Sequence, residues 1–261
     1  MSLDDDLRLA LQLAGIADAI TIPAFRRAGL RVETKADRSP VTEADRGVER
    51  ALRERIDLER PGDAVVGEEF GSTGAGASRR WFLDPIDGTK NFVRGIPVFA
   101  TLIGLEQDGE VVVGVCSAPG LHARWWAARD MGAYESGRRI RVSEVGSLDA
   151  AQLSYDSIPG FEERGLGEQF LALARQCART RGFGDFWSHV LVAEGAVDVA
   201  VEPEVNPWDL APLKIIVEEA GGRFTDLDGA ARIDGGSAVS SNGLLHEQVL
   251  AALRTAARAH Q

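Results

Sequence analysis

Residues 81–89, WFLDPIDGT, join a run of bulky apolar side chains to two carboxylates three positions apart. Apolar runs of this kind are typical of buried strands, so Asp84 is expected at a strand end, where ligands collect in mixed α/β proteins. The proline that follows Asp84 removes a backbone donor and stiffens the turn, so Asp84 and Asp87 can point into one small volume. Two anions held that close repel each other unless a cation lies between them. The spacing therefore indicates a divalent metal site.

Gly88 and Thr89 follow directly and are expected to open a helical turn. The free backbone N–H groups of such a turn suit a phosphate oxygen. Aspartate, proline and glycine are also ordinary surface-turn residues. Taken alone, the segment leaves both a phosphate-and-metal site and a plain turn open.

Three further acidic positions share the geometry of a strand end or a helix start. Glu68 follows the apolar residues 64–66, at the end of another expected strand. Asp209 opens a stretch with helical periodicity, and Asp45 lies in a TEAD sequence that resembles a capping box. A helix cap explains Asp209 or Asp45 equally well when each is considered alone. Together, however, the four sites favour a common metal-binding function.

The chain contains the motifs of a known superfamily in their usual order. Residues 67–69 (GEE), 84–89 (DPIDGT), 208–209 (WD) and 219–222 (EAGG) resemble those of the inositol monophosphatase superfamily of magnesium-dependent, lithium-sensitive phosphatases. The similarity extends from the first helix to about residue 243. Further segments resemble the histidinol-phosphatase branch of actinobacteria, namely residues 39–42 (SPVT), 89–95 (TKNFVRG), 124–129 (RWWAAR) and 184–186 (GDF).

This resemblance implies a centre that holds two or three Mg²⁺ ions. Glu68, Asp84 and the carbonyl of Ile86 would bind one ion. Asp84, Asp87 and Asp209 would bind another, and a third, weaker ion would lie near Glu68. All of these donors are hard oxygens, as Mg²⁺ requires.

The resemblance also implies the roles of the catalytic and phosphate-binding residues. Glu68 and Thr89, with Thr89 hydrogen-bonded towards Asp45, would orient a water molecule for in-line attack on phosphorus. Asp87 and the backbone N–H groups of Gly88 and Thr89 would bind the phosphate. No covalent phosphoenzyme is expected.

Substrate choice depends on a second set of residues, Asn91, Asp185, Glu202 and Asp209. Glu202 and Asp185 match family positions that line the pocket for the alcohol part of the substrate. Two carboxylates there suit a cation, and histidinol phosphate offers an ammonium and an imidazole. Inositol phosphate offers only hydroxyls, against which an extra buried carboxylate would be costly. An exposed loop acid is the plain alternative for Asp185.

Composition excludes some classes of partner. The net charge of −11 argues against general affinity for nucleic acid or anionic membranes, and bound Mg²⁺ would reverse the local potential for a phosphate ester substrate. No apolar run reaches spanning length and no targeting signal is evident, so a cytoplasmic protein is expected. Cys116 and Cys177 are expected to be buried thiols. His122, His189 and His246 have no obvious acid partner and are expected at the surface or in packing.

The secondary-structure elements that position these residues are predicted to begin with a helix, and strands and helices alternate further along the chain. The predicted helices cover residues 7–27, 167–180, 188–194, a stretch from 208, and 246–258; the predicted strands cover 99–105, 111–117, 125–128, 140–142, 152–155 and 197–201. The resemblance implies an α+β fold, a layered αβαβα sandwich with two lobes and the site between them. We expect one phosphatase domain over residues 1–261, with lobes of about 1–148 and 149–261. A homodimer is also implied, since Trp125 and Trp126 are expected to carry more apolar surface than one face of a strand can bury.

Three functional hypotheses follow from these patterns. The first is a histidinol-phosphatase, and the second is an inositol-1-monophosphatase or a broad-specificity monophosphatase of the same superfamily. The third, of another class, is a regulatory protein that binds a partner through a phosphatase fold. The complete set of metal ligands favours an enzyme.

Overall fold

Two mixed sheets alternate with three helical layers, and the computed structural model describes them over residues 2–27, 29, 31–34 and 40–254. A short antiparallel pair of strands, β1 (Val32–Thr34) and β2 (Pro40–Thr42), lies outside both sheets. The larger sheet has eight strands: β3 (Ala64–Gly67), β4 (Gly71–Thr73), β5 (Arg79–Asp87), β6 (Ala100–Gln107), β7 (Glu110–Ala118), β8 (Ala123–Ala128), β9 (Gly132–Glu135) and β10 (Arg138–Arg139). Their spatial order is β10-β9-β8-β7-β6-β5-β3-β4, with β3 and β5 parallel.

Helices α1 (Leu3–Ala24) and α2 (Glu43–Glu59) cover the outer face of this sheet. Their apolar stripes, which include Leu13 and Leu52, pack against Trp81, Leu83 and Ile103 of the sheet. Residues spaced three and four apart on a helix share one face, which explains why these stripes are continuous.

Helix α1 also meets the length and composition of a membrane span, with a mean hydropathy of 1.3 over its most apolar window. The prediction that no run reaches spanning length was therefore wrong for this segment. Small apolar residues such as Ala10, Ala14 and Ala17 raise its hydropathy, and all three are fully buried in the outer core. The helix packs on the sheet as a core element.

The central layer contains α6 (Asp185–Ala193) and α7 (Pro207–Glu219), which lie between the two sheets. Every residue of α7 from 210 to 217 is buried, because two sheets enclose the helix, and all of them are apolar except Lys214, whose ammonium pairs with Glu218 at 2.7 Å. On the large sheet, α7 packs over Gly104 and Gly114, which face each other on β6 and β7. A Cβ on Gly114 would lie 2.5 Å from the carbonyl oxygen of Pro212, so glycine lets the helix backbone approach the sheet.

The second sheet has five strands and supports the remaining helices. It contains β11 (Gln152–Tyr155), β12 (Arg179–Arg181), β13 (Val199–Glu202), β14 (Arg223–Thr225) and β15 (Ala238–Ser241), in the order β12-β11-β13-β15-β14. Its outer face is covered by helical residues that include Phe161, Phe170 and Leu250. They belong to α4 (Ile158–Glu163), α5 (Gly167–Gln176) and α8 (His246–Arg254). The predicted αβαβα layering is confirmed.

Several predicted elements need correction. Residues 140–142 form no strand: the Ile140 and Val142 amides donate to separate elements, at Ala133 and Ala220, so no ladder forms. The predicted helix 167–180 ends at Gln176, because residues 179–181 pair with β11 as strand β12. The sequence patterns missed α4, β9, β14 and β15. Residues 255–258 of the predicted last helix lie outside the described residues.

The basis for the dimer prediction also changes. Trp125 is buried and its ring lies 6.2 Å from that of Phe186 in α6, whereas Trp126 packs towards the opposite core and stacks on Tyr134 at 5.9 Å. Strand β8 is therefore covered on both faces, so its two tryptophans do not require a partner subunit.

The Gly114 contact gives a test of the central layer. We expect Gly114→Ala to destabilise the protein by about 1–3 kcal/mol, because a methyl group there collides with helix backbone that cannot rotate away. Thermal unfolding with a matched Gly15→Ala variant measures the effect. Gly15 is an exposed position inside α1 with no atom near an added Cβ, so this control should be neutral or gain about 0.5–1 kcal/mol. Equal melting temperatures for the two variants would contradict the close approach of α7.

Candidate active site

A β-bulge places the two carboxylates of β5 on one side of the strand. Asp84 pairs with Leu102 and Asp87 with Ala100, so three steps on β5 oppose two steps on β6. In a regular strand, residues three apart point to opposite faces, and the one extra residue reverses this. The Thr101 hydroxyl donates to the Pro85 carbonyl at 2.7 Å and fixes the bulge. The expected convergence of Asp84 and Asp87 thus has a backbone cause.

Gly88 turns the chain from β5 into the short helix α3 (Thr89–Val93) with φ at +76°, in the left-handed region. A Cβ at this position would lie 2.9 Å from the Val98 carbonyl oxygen and 3.4 Å from Asp185 Oδ2. Only glycine fits both the conformation and the space. The turn lies directly beside the bulge that carries the two aspartates.

Asp45 reaches this turn from the start of α2. Its Oδ2 accepts hydrogen bonds from the Thr42 amide at 2.8 Å and the Thr42 hydroxyl at 2.5 Å, which completes the predicted capping box. Its Oδ1 lies 3.4 Å from Thr89 Oγ1, whose shorter bond, at 2.8 Å, goes to the Ile86 carbonyl. Thr89, Asp45 and the Ile86 carbonyl therefore lie together, and the Thr89 hydroxyl makes its shorter bond to the carbonyl, whereas the resemblance implied a bond towards Asp45.

Glu68 is held by a residue that sequence reasoning missed. The fully buried Glu49 of α2 accepts hydrogen bonds from the amides of Glu69 at 2.7 Å and Phe70 at 3.2 Å, and Arg53 donates to it at 2.7 Å. A Cβ at Gly67 would overlap the Glu49 carboxylate. Glu49 therefore fixes the turn after β3 from which Glu68 projects. The available signal was a glutamate on the buried stripe of an amphipathic helix.

Asp209 enters the site from the first turn of α7. Its Oδ2 accepts from the Asn206 amide at 2.8 Å, so the residue does cap the helix. Asp209 and Glu68 are both close enough to Asp84 for their charges to raise its pKa. The structure therefore joins the cap and the metal-ligand interpretations in one carboxylate.

The three buried aspartates of the cluster, Asp84, Asp87 and Asp209, hold their protons more tightly than exposed carboxyl groups do. Burial, followed by the charge of Glu68, raises the pKa of Asp84 well above its usual range, and burial followed by Asp185 does the same for Asp87. Burial raises the pKa of Asp209 to about 7, although the Asn206 amide opposes the shift. Buried carboxyl groups whose like charges raise one another's pKa would be stabilised by added positive charge.

The geometry of the cluster is that of an open site. Among the described residues, no three acidic, histidine or cysteine side chains already converge on one point as a closed metal cage. Mg²⁺ does not need such a cage, because it binds through one or two carboxylates and takes its other ligands from water and phosphate. Glu68, Asp84, Asp87, Asp209 and the Ile86 carbonyl are the oxygen donors that fit this pattern.

A second acidic pocket adjoins the first cluster. Its lining includes Phe186, Val205, Leu213 and six acids, which are Asp87, Asp156, Asp185, Glu202, Glu204 and Asp209. Sequence reasoning identified Asp185 and Glu202 but missed Asp156 and Glu204, which follow the ends of β11 and β13. Their signal was the same strand-end position that revealed Glu68.

Asp185 is fixed at this pocket by an uncommon backbone conformation, with φ at +48°. The Phe186 amide that follows donates to Asp87 Oδ2 at 2.7 Å, which joins α6 to the end of β5. Asn91 donates to Asp185 Oδ2 at 3.4 Å and to the Val98 carbonyl at 3.0 Å. Of the predicted substrate residues, Asn91 and Asp185 therefore lie beside the Gly88 turn, and Glu202 lines the same pocket as Asp185.

Two histidines are buried, as the packing prediction allowed. His246 bonds to Thr225 and Ser241 at 2.9 Å each. For His189 the expected lack of an acid partner was wrong, because Nε2 lies 3.2 Å from Glu202 Oε2. Sequence separation concealed this pair, since twelve residues and a helix-to-strand connection lie between them.

Fold and site together define a phosphatase class, and comparison with known proteins identifies it. Residues 2–258 match the inositol monophosphatase family, and the chain belongs to that family. It is 54% identical over 254 residues to the histidinol-phosphatase of Mycobacterium tuberculosis, covering 95% of this chain and 98% of that protein. It is 51% identical to the histidinol-phosphatase of Streptomyces coelicolor, covering 94% and 96%. An inositol monophosphatase structure from Zymomonas mobilis aligns with a TM-score of 0.86 at 36% identity, covering 97% and 99%. The predicted family is confirmed.

The raised pKa values give a stability prediction. Because Asp84 holds its proton more tightly in the folded protein than in the unfolded one, ionising it costs folding free energy as pH rises above about 4. We therefore expect Asp84→Asn to stabilise the metal-free protein at pH 8 by on the order of 1 to 3 kcal/mol, and less at pH 5. The variant keeps the bond that Asp84 Oδ1 accepts from the Ile86 amide.

Thermal unfolding in a chelator at both pH values checks this expectation. Asp226→Asn is the matched control, because that buried carboxylate is already satisfied by the Ala230 amide at 2.9 Å and by Arg232 at 2.5 Å. The control should lose stability at pH 8. A loss of stability at pH 8 in Asp84→Asn as well would contradict the electrostatic argument.

Proposed function

We propose that the protein is a Mg²⁺-dependent phosphomonoesterase that hydrolyses L-histidinol phosphate to L-histidinol and phosphate, in the biosynthesis of histidine. The observation that carries the proposal is the pocket of carboxylates beside the Gly88 turn. The histidinol-phosphatase relatives at 54% and 51% identity support it.

The donor set fits Mg²⁺. Glu68, Asp84 and the Ile86 carbonyl would hold one ion, Asp84, Asp87 and Asp209 a second, and a third would lie near Glu68. The raised pKa values of the three aspartates show that the site favours added positive charge. When bound, Mg²⁺ supplies a water molecule of lowered pKa and offsets the negative charge of the phosphate.

The protein residues bind the ester and orient the attacking water. The backbone N–H groups of Gly88 and Thr89 would donate to phosphate oxygens at the start of α3. The Thr89 hydroxyl donates to the Ile86 carbonyl, so its oxygen keeps a lone pair that can accept a hydrogen bond from the water. Glu68, fixed by Glu49, would accept the water's second hydrogen bond. The water oxygen then bonds to phosphorus as the ester P–O bond breaks, and the alcohol oxygen takes up a proton.

The alcohol part of the substrate would occupy the second acidic pocket. Asp185 and Glu202 are within the same lining, and Asn91 is hydrogen-bonded to Asp185. An ammonium and an imidazolium would replace the missing positive charge there, whereas the hydroxyls of inositol could not. Charge complementarity therefore favours histidinol phosphate over inositol-1-phosphate. A homodimer, which the family resemblance implies, and a cytoplasmic location are further parts of the proposal.

The test is phosphate release from L-histidinol phosphate and from inositol-1-phosphate, with and without Mg²⁺, by wild type and Asp185→Ala. We expect Mg²⁺-dependent activity and a wild-type preference for histidinol phosphate. Removing one carboxylate should lower kcat/KM for histidinol phosphate by about 10- to 100-fold, the range for a hydrogen bond to a charged group, and leave inositol-1-phosphate unchanged or improved.

Asp149→Ala is the control, since it removes an exposed carboxylate outside the pocket. It should behave as wild type with both substrates. Comparable wild-type rates on the two substrates would favour the broad monophosphatase. Absence of Mg²⁺-dependent release from either would refute the proposed substrate.

A pH dependence follows from the same residue. Burial, followed by the charge of Asp156, raises the pKa of Asp185 to about 6, although Lys90 opposes the shift. As pH falls from 7.5 to 5, Asp185 loses its charge, whereas the substrate keeps its ammonium charge and its imidazole gains a proton. We expect kcat/KM for histidinol phosphate to fall more steeply than for inositol-1-phosphate, because both substrates share the phosphate ionisation near pH 6. Parallel profiles in wild type, or a difference that persists in Asp185→Ala, would assign the effect to another group.

A further inference from the structure

Glu202 is a buried carboxylate at the end of β13 without an aligned hydrogen bond. It is 4% exposed, its Oε1 has no hydrogen-bond partner among the described residues, and it lines the second acidic pocket. Buried polar groups are normally satisfied, so an exception needs an explanation. A buried carboxylate that lines a pocket and lacks a hydrogen-bond partner is consistent with a group whose missing partner is supplied by a ligand.

The nearest polar group to Glu202 is His189, on the buried side of α6. Its Nε2 lies 3.2 Å from Glu202 Oε2, without the alignment of a hydrogen bond. Its other nitrogen, Nδ1, lies 2.6 Å from Ser240 Oγ on β15. All three side chains are almost inaccessible to solvent. Ser240, His189 and Glu202 therefore form a line that ends at the pocket.

The charge of the His189 imidazole determines how it can interact with Glu202. Burial lowers the pKa of His189 to about 4, so the imidazole is neutral at physiological pH and carries one N–H. When the Ser240 hydroxyl donates to Nδ1, that proton is on Nε2, which faces Glu202. A lysine or arginine here would form an internal ion pair and neutralise the carboxylate. A neutral donor orients the carboxyl group without offsetting a negative charge on it. Burial, followed by the charge of Asp156, raises the pKa of Glu202 well above its usual range, so a cationic ligand would stabilise its ionised form.

We propose that His189 is a positioning residue for substrate recognition: Ser240 fixes its tautomer, and its Nε2–H holds Glu202 Oε2 so that Oε1 is available to the cationic group of the substrate alcohol. This inference rests on the proposed function, because it assigns Glu202 to cation binding. His189 itself touches neither the substrate nor the metal ligands. Its effect should therefore depend on Glu202 and on the charge of the substrate.

A double-mutant cycle tests the dependence on Glu202. We expect His189→Phe to raise KM for histidinol phosphate about tenfold, as for loss of a hydrogen bond to a charged group, with kcat changed less than about threefold. The same variant should barely change the kinetics with inositol-1-phosphate. In a Glu202→Gln background it should add less than about a twofold effect, since coupled residues are not additive.

Two milder variants keep the test informative if phenylalanine impairs folding. His189→Gln can place an amide N–H near the position of Nε2, so it should restore most of the lost affinity. Ser240→Ala removes the group that sets the tautomer and should raise KM in the same direction. His246→Phe is the matched control, because it removes a buried histidine that bonds to Thr225 and Ser241 and lies outside the pocket lining. It should lower the melting temperature and affect both substrates equally.

The outcomes separate the two proposals. Equal losses on both substrates, or additive effects of His189→Phe and Glu202→Gln, would show that His189 only stabilises the fold and would overturn its positioning role. A wild-type enzyme with no preference for histidinol phosphate would instead overturn the proposed function, and with it the cation-binding role of Glu202. A preference together with non-additive effects would support both.

Discussion

Mutual repulsion among buried carboxylates is the constraint on which the rest of the structure depends. Asp84, Asp87 and Asp209 are held where burial and neighbouring charges raise their pKa values, and Asp84 lies within the influence of three other acids, Glu68, Asp87 and Asp209. A fold that only had to be stable would separate them or pair them with basic residues. Holding them together costs folding free energy, and a bound cation offsets that cost. Site geometry and stability therefore oppose each other until the metal is bound.

Rigid elements hold the acids against this repulsion. A bulge turns Asp84 and Asp87 to one side of β5, helix caps fix Asp45 and Asp209, and the buried Glu49 fixes the turn that carries Glu68. Helix α7 can bring Asp209 to the sheet only because glycines on β6 and β7 leave room for its backbone. Each of these carboxylates thus depends on a separate part of the scaffold, so small changes in packing should alter the geometry of the site.

The two acidic regions use charge differently. The first lies at the junction of β5 and α7, where hard oxygen donors suit a divalent metal. The second extends from it to Glu202, where a neutral histidine and no basic side chain lie within contact among the described residues. The two adjoining acidic regions can therefore attract a metal ion at one end and an organic cation at the other, in a protein that is itself strongly acidic.

The residue types of the site and the family motifs could be read from the sequence, because strand-end acids and helix caps depend on neighbours within a few positions, and the layered fold followed from the family resemblance that these motifs carry. The sequence also predicted most helices and the β6–β7 hairpin from periodicity. Only the tertiary structure decided the bulge on β5, the clamp by Glu49, the places of Asp156 and Glu204, and the pairing of His189 with Glu202. The sequence patterns also missed weak edge strands such as β12 and β14, whose pairing is with strands from other parts of the chain. These features arise from contacts between segments distant in sequence, and local patterns carry no information about which distant segment a side chain will meet.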